Sequence, residues 1–166
     1  MRLFVGIDPG MTGGLAAVRE DGSLLSAIPI PRVKGSTGPQ DYHAIKEWFA
    51  SMKKQGRIDA ALERVSVRPG EGVKSTLTAG TNWGFLKGML VAIGARYVEP
   101  TPQAWKKAVG LPKRTGKERK QGKEDAIVLA TQRFPGIDLT PGKKRVPHDG
   151  MADAVLIAEY ARRTLG

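Results

Sequence analysis

Hydrophobic residues stand almost back to back at the start of the chain. Leu3, Phe4, Val5 and Ile7 fall within Arg2 to Asp8, and the run breaks at Pro9-Gly10, which predicts a buried strand. Gly14 to Arg19 predicts a second strand, Asp21-Gly22 a two-residue hairpin turn, and Leu24 to Ile28 a third strand stopped by Pro29 and Pro31. Such short turns make an antiparallel meander with the first strand innermost. The period then changes. After the Gly35 to Pro39 stretch, Tyr42, Ile45, Phe49 and Met52 recur at helical spacing until Gln55-Gly56. Asp59 to Val67 predicts a fourth strand with Glu63 and Arg64 in its middle. Lys74 to Gly94 predicts a longer helix with Leu86, Met89, Leu90 and Ile93 on one face. "ARYVEP" predicts a short fifth strand, and Thr101 is placed to cap a small helix holding Trp105, Lys106 and Lys107. Lys123 to Phe134 and about His148 to Leu165 predict the last two helices. Strands separated by helices tend to pair in parallel through right-handed crossovers. The expected fold class is therefore α/β: a five-stranded mixed sheet, order 3-2-1-4-5, with helices on both faces. No internal repeat or long linker interrupts it, so one domain over residues 1–166 is expected.

Composition narrows the class. Apolar residues make up 40% of 166, enough for a folded core, and no apolar run approaches the ~20 residues that cross a bilayer. Absence of cysteine excludes disulfides and thiolate metal sites. The N-terminus does not read as a secretory signal, so a soluble, cytoplasmic protein is expected. The charge says more: 27 Lys and Arg against 16 Asp and Glu give +11, which favours a polyanionic partner, most often nucleic acid. Six basic residues and one acid fall in "KRTGKERKQGK", Lys113 to Lys123, and "GKKR", Gly142 to Arg145, adds three more. A solvated loop is the plainer reading of these runs. Neither has the apolar face that a membrane-surface segment needs.

Acids are rare at buried strand positions, because an unpaired carboxylate is costly to desolvate. Two such acids stand out, Asp8 and Glu63. Asp149 and Asp153, four residues apart, share one face at the start of the final helix, where the helix dipole favours negative charge. The plainer reading pairs Asp149 and Asp153 with solvent or Arg145, and Glu63 with Arg64, although strand neighbours point to opposite faces. If strand four lies parallel to strand one, Asp8 and Glu63 approach each other, and four converging carboxylates repel unless cations intervene. Hard oxygen donors without cysteine or clustered histidine select Mg²⁺, or Mn²⁺ in its place. Two such ions ~3.5–4 Å apart suit in-line phosphoryl displacement. Asp8, Glu63, Asp149 and Asp153 are thus the candidate catalytic and metal-ligating set. His148 is a candidate proton donor or relay, or else a capping group at the helix entry.

The segments "GIDPGMTGGLAAV", "LERVSV", "TPQAWKKAVG" and "HDGMADAVLIAEYARR", in this order, resemble the RuvC-type Holliday-junction resolvases, especially their phage-encoded branch. The likeness spans nearly the whole chain and is most specific in its first and last motifs. It implies an RNase H-like fold, a homodimer, and Mg²⁺-dependent nicking of two opposed strands in a four-way DNA junction, leaving 5′-phosphates. By position, Asp8 and Glu63 correspond to the family's first two metal ligands and Asp153 to its last. Three departures matter. The family's last two acids stand three apart, which would put the earlier one at Gly150, whereas Asp149 is the candidate here. Either spacing keeps both acids on one helix face, so the chemistry is expected to survive with altered geometry, and rescue of an inactive Asp149→Asn variant by Gly150→Asp would show that either spacing can work. Where some members carry an aromatic wedge, this chain has Ser66, so junction opening is expected either to rely on another element, such as the loop "RPGEG" at Arg68 to Gly72, or to be weaker. The basic insertion is also longer than in compact members. Lys106, Lys107 and Lys123 lie near the family's phosphate-contacting lysines. With Arg68, Lys74, Lys113, Arg114, Lys117, Arg119 and Lys120 they form the candidate DNA-binding set, each with a plain surface cation as its alternative.

Rival readings share parts of this pattern. Actin-like ATPases and sugar kinases open with a similar acid-then-glycine turn but need a second domain. RuvX/YqgF-type nucleases share the first motif and act on RNA; the basic insertion and the Trp105 motif favour the junction enzyme. A non-cleaving junction binder would not need four acids. For the dimer surface, the Lys74 to Gly94 helix is the candidate, from its length and apolar face.

Overall fold

The computed structural model describes residues 1–33, 39–66, 70–142 and 145–166. Five strands form one sheet: β1 (Arg2–Asp8), β2 (Gly14–Arg19), β3 (Leu24–Pro29), β4 (Arg57–Leu62) and β5 (Arg96–Val98), in the order β3-β2-β1-β4-β5. The first three are an antiparallel meander, and β4 and β5 join in parallel, as the strand–helix–strand pattern predicts. The helices are α1 (Tyr42–Gln55), α2 (Val73–Ala92), α3 (Pro102–Val109), α4 (Arg119–Arg133) and α5 (Asp149–Leu165).

Side-chain alternation divides the core in two. Leu3, Val5 and Ile7 of β1 and Ile58, Ala60 and Leu62 of β4 face α1 and α2, meeting Ile45, Phe49, Leu86 and Leu90. Phe4 and Ala61 face the other way, against Trp105 of α3, Ala126 and Ala130 of α4 and the buried face of α5. Small residues let α5 lie directly on the sheet. A Cβ at Gly6 would collide with the Ala154 carbonyl and stand 2.8 Å from Ala158 Cα. The parity that puts Phe4 and Gly6 under α5 also puts Asp8 there, and Ala61 carries Glu63 to the same face.

Several boundaries differ from the sequence reading. β4 starts two residues earlier and ends at Leu62, so Glu63 follows the strand instead of lying within it. The ladder still reaches it, through Glu63 N–H donating to the Ile7 carbonyl at 3.0 Å. α4 begins at Arg119, four residues before Lys123. A 3₁₀ turn at Gly116–Glu118 leads in, with Thr115 and Glu118 closing a reciprocal capping box. Half of the supposed basic loop is therefore helix. On α2 the face offered for dimerisation is internal, since Leu86 and Leu90 are fully buried. Its opposite face is the exposed one and carries Val73, Leu77, Gly80, Gly84, Gly88 and Val91. Most of Gly35 to Pro39, the end of the expected fourth strand at Val67, Arg68 and Pro69 of the "RPGEG" loop, and Lys143 and Lys144 lie outside the described residues. Among the described residues, no helix is long and apolar enough to cross a membrane.

Candidate active site

The acids gather where the carboxyl ends of β1 and β4 meet the first turns of α5. Asp8 is half-buried and turns the chain locally, its Oδ1 accepting from Gly10 N–H at 2.9 Å. Gln40, buried, donates from Nε2 to the Pro9 carbonyl at 3.0 Å and so pins the same turn. Glu63 Oε2 accepts from the indole Nε1–H of Trp105 at 2.6 Å. α3 holds that indole in place: Thr101 caps its start by accepting from Ala104 N–H at 3.2 Å, and Gly110 ends it at φ 91°. α5 brings down Asp149 and Asp153, with His148 at its N-cap, where Nδ1 accepts from Met151 N–H at 3.1 Å. That bond makes Nε2 the protonated nitrogen of the neutral ring, which is the capping alternative for His148.

The displaced acid of the last motif has a steric cause. A Cβ at Gly150 would run into the Thr12 carbonyl and stand 2.7 Å from Gly13 Cα, so the loop after Asp8 occupies the space an aspartate would need. An aspartate at Gly150, the test of the other spacing, does not fit this packing.

The four acids sense one another. Burial, then the charges of Asp8, Glu63 and Asp149, push the Asp153 carboxyl up to about 7, with Lys106 opposing. Burial also raises Asp8, aided by Asp149 and countered by the Gly10 hydrogen bond, Lys106 and Lys123. Asp149 goes the other way: burial would raise it, but its ion pair with Lys123 holds it below the ordinary range. Among the described residues, no three His, Cys, Asp or Glu side chains form a ready-made metal cage. Glu63 is held by Trp105 and Asp149 by Lys123. By donor type the set still fits a hard divalent cation: four carboxylates, no sulfur, and two acids whose charged forms are disfavoured without a counter-charge.

The candidate DNA contacts divide. Lys113, Lys117, Arg119 and Lys120 are exposed along the lead-in and first turn of α4, and Lys74 is exposed at the start of α2. Lys107 is exposed on α3, while Lys106 lies over the Trp105 ring, 5.3 Å from its centroid. Arg114 is engaged internally, bonding Asp125 at 2.8 Å and Glu118 at 3.3 Å. Lys123 pairs with Asp149, and Arg68 lies outside the described residues. For Trp105, a tryptophan beside a lysine on a capped short helix is the available signal in the sequence; nothing local marks Gln40.

The strand order and directions, with α5 across the central strands, define an RNase H-like fold. Within that class the chain is similar to RuvC. RuvC of Thermus thermophilus in complex with a Holliday junction substrate aligns over 100% of this chain and 97% of that one, with TM-score 0.67 and 16% identity. A second Thermus thermophilus RuvC structure covers 95% and 92%, with TM-score 0.59 and 18% identity. The yeast mitochondrial Holliday junction resolvase Ydc2 covers 96% and 77%, with TM-score 0.50 and 19% identity. No family model matches the sequence, and no curated protein matches it.

Proposed function

We propose that this chain, as a single nuclease domain, is a divalent-metal-dependent endonuclease that resolves four-way DNA junctions as a homodimer. The observation that carries the reading is the meeting of Asp8, Glu63, Asp149 and Asp153 from three elements beside a basic surface, in a fold similar to RuvC. These four side chains would hold Mg²⁺, or Mn²⁺ in its place, most simply as a pair of ions. When bound, such cations supply Lewis-acid activation of water and stabilise the leaving oxygen of the phosphodiester. The chain's own residues do the rest. Lys106 and Lys107 on α3, with Lys74, Lys113, Lys117, Arg119 and Lys120, draw phosphates in by charge; such contacts give affinity and salt dependence but carry no sequence information. Lys123, paired with Asp149 here, would be available to a phosphate were Asp149 to ligate a cation. The glycines of the loop after Asp8 serve close packing: a Cβ at Gly13 would run into the Asp8 carbonyl, and one at Gly14 would stand 2.9 Å from Met151 Cα. Two sites are needed for paired nicks, and the exposed apolar and glycine face of α2 is the surface on which a second copy would pack.

The test is cleavage of a synthetic four-way junction, a replication fork and a linear duplex side by side, with Mg²⁺ or EDTA. Paired nicks with 5′-phosphate ends in the junction, in Mg²⁺ only, are the expected result. Equal cutting of the linear duplex, or preference for an RNA substrate, would favour an RNase H-like nuclease of another kind. Junction binding without cleavage would leave only a structural role for the acids.

A further inference from the structure

We propose that Trp105 is a positioning residue: its buried indole N–H orients the Glu63 carboxylate for cation binding and so sets metal affinity. The inference rests on the metal-nuclease reading above and assigns one determinant within it. Glu63 sits one residue beyond β4. Its backbone N–H completes the ladder to Ile7, but the ladder does nothing to fix its three side-chain torsions. Asp8 faces no such problem, because Gly10 N–H holds its short side chain locally. For Glu63 a holder must come from elsewhere in the fold, and α3 supplies it. Trp105 is fully buried, and its Nε1–H donates to Glu63 Oε2 at 2.6 Å, the geometry of a strong charge-assisted bond.

Three features suit the indole to this work. It is a donor only, so it cannot rotate into an alternative acceptor role, and it never competes with the carboxylate for a cation. A buried N–H that loses its acceptor is penalised, so the preference for one Glu63 orientation is built in. The ring itself cannot drift. Thr101 and Gly110 cap its helix, Arg133 donates to the Val109 carbonyl at 2.7 Å, and Arg163 donates to the Ala108 carbonyl at 3.3 Å. An accepting carboxylate oxygen keeps a second lone pair, so holding Oε2 does not prevent Glu63 from ligating a cation. Partners that orient a ligand in this way typically change metal affinity or activity by about 10–100-fold when removed.

Calorimetric titration of Mn²⁺ into the full-length protein tests this. The parent should bind, and Trp105→Phe should bind at least about tenfold more weakly. If Trp105 acts through Glu63, adding Trp105→Phe to Glu63→Gln should weaken binding no further than Glu63→Gln alone. An equal extra loss in that background would overturn the inference, as would unchanged affinity in Trp105→Phe. Failure of the parent to bind Mn²⁺ would instead sink the metal reading. Should Trp105→Phe not fold, the unaltered indole decides. Its N–H resonance, identified with Trp48→Phe and Trp83→Phe, should move on adding Mg²⁺ and stay put in Glu63→Gln. A Trp105 resonance indifferent to Mg²⁺ in a protein that binds Mn²⁺ would overturn the assignment.

Discussion

The two ends of α5 bury acids in opposite ways. At its C-terminal end Asp59, wholly inaccessible in β4, meets Arg2 at 2.7 Å, Arg96 at 3.2 Å and Arg57 at 3.3 Å. Arg2 and Arg96 also donate to the Leu165 carbonyl, tying the last turn of α5 to the sheet. Burial would raise the Asp59 carboxyl, yet the surrounding guanidinium groups outweigh it and hold the group low. At the N-terminal end, ~25 Å away at 1.5 Å per residue, four carboxylates face Lys106 and Lys123. There burial and mutual repulsion win at Asp8 and Asp153. An acid saturated with arginine is a fastener, as Glu159 is again between Arg133, Arg162 and Arg163. Acids left short of cations have stability to gain from a partner that arrives later. The same helix serves both ends.

The largest expected effect separates chemistry from folding. Asp8→Asn should cut Mg²⁺-dependent junction cleavage roughly a thousandfold or more, about 4 kcal/mol of barrier, while junction binding holds and the metal-free thermal midpoint does not fall. Cleavage at the parental rate would remove Asp8 from the metal site. Next comes the fastener. Asp59→Asn leaves three guanidinium groups without their shared anion. They are partly exposed and can rehydrate, so the loss should be ~2–3 kcal/mol, below the upper range for breaking a fully buried pair. Chemical denaturation would read that loss, and Mn²⁺ affinity should stay unchanged. Weaker metal binding in this variant would mean that α5 transmits strain between the ends, and the comparison would fail.

Local pattern was enough for one end and not for the other. The apolar run into Asp8, the parallel placing of β4 and the i, i+4 acids of α5 all speak within a few residues, so the candidate site was legible. The Thr101 cap and the strand order were readable for the same reason. Asp59 was not, because it looks like the polar start of a strand. Its partners Arg2 and Arg96 arrive from strands 57 and 37 positions away in sequence. The end of β4 differs from the pattern for a related reason: Leu62, Glu63 and Val65 continue a strand-like sequence after the neighbouring strand has turned away at Pro9. Gly150 needed the structure too, since only the folded loop at Thr12 and Gly13 shows why an aspartate cannot stand there.

The subtlest expectation is that pH acts with opposite sign at the two ends. Asp153 has its folded value raised to about 7 from 3.8, so between those values the folded state holds its proton more tightly than the unfolded chain. Stability from this group is full below about pH 4 and is lost as pH rises to about 7; Asp8, also raised, adds to the same trend. Asp59, held low, contributes above the ordinary carboxylate value and loses its contribution only as pH falls through its folded value. The metal-free protein should therefore weaken from pH 5 to pH 8. Asp153→Asn should flatten that slope and exceed the parent at pH 8 by ~2 kcal/mol, discounted for coupling within the cluster. On the proposed reading, bound Mg²⁺ would neutralise the ionised acids and should raise the thermal midpoint more at pH 8 than at pH 6. Thermal melts in EDTA and in Mg²⁺ at the two pH values would read both effects. A parent whose metal-free midpoint climbs between pH 5 and pH 8 would show that the open cluster is not under the electrostatic load inferred for it, since Asp59, already fully ionised, adds no slope in that range.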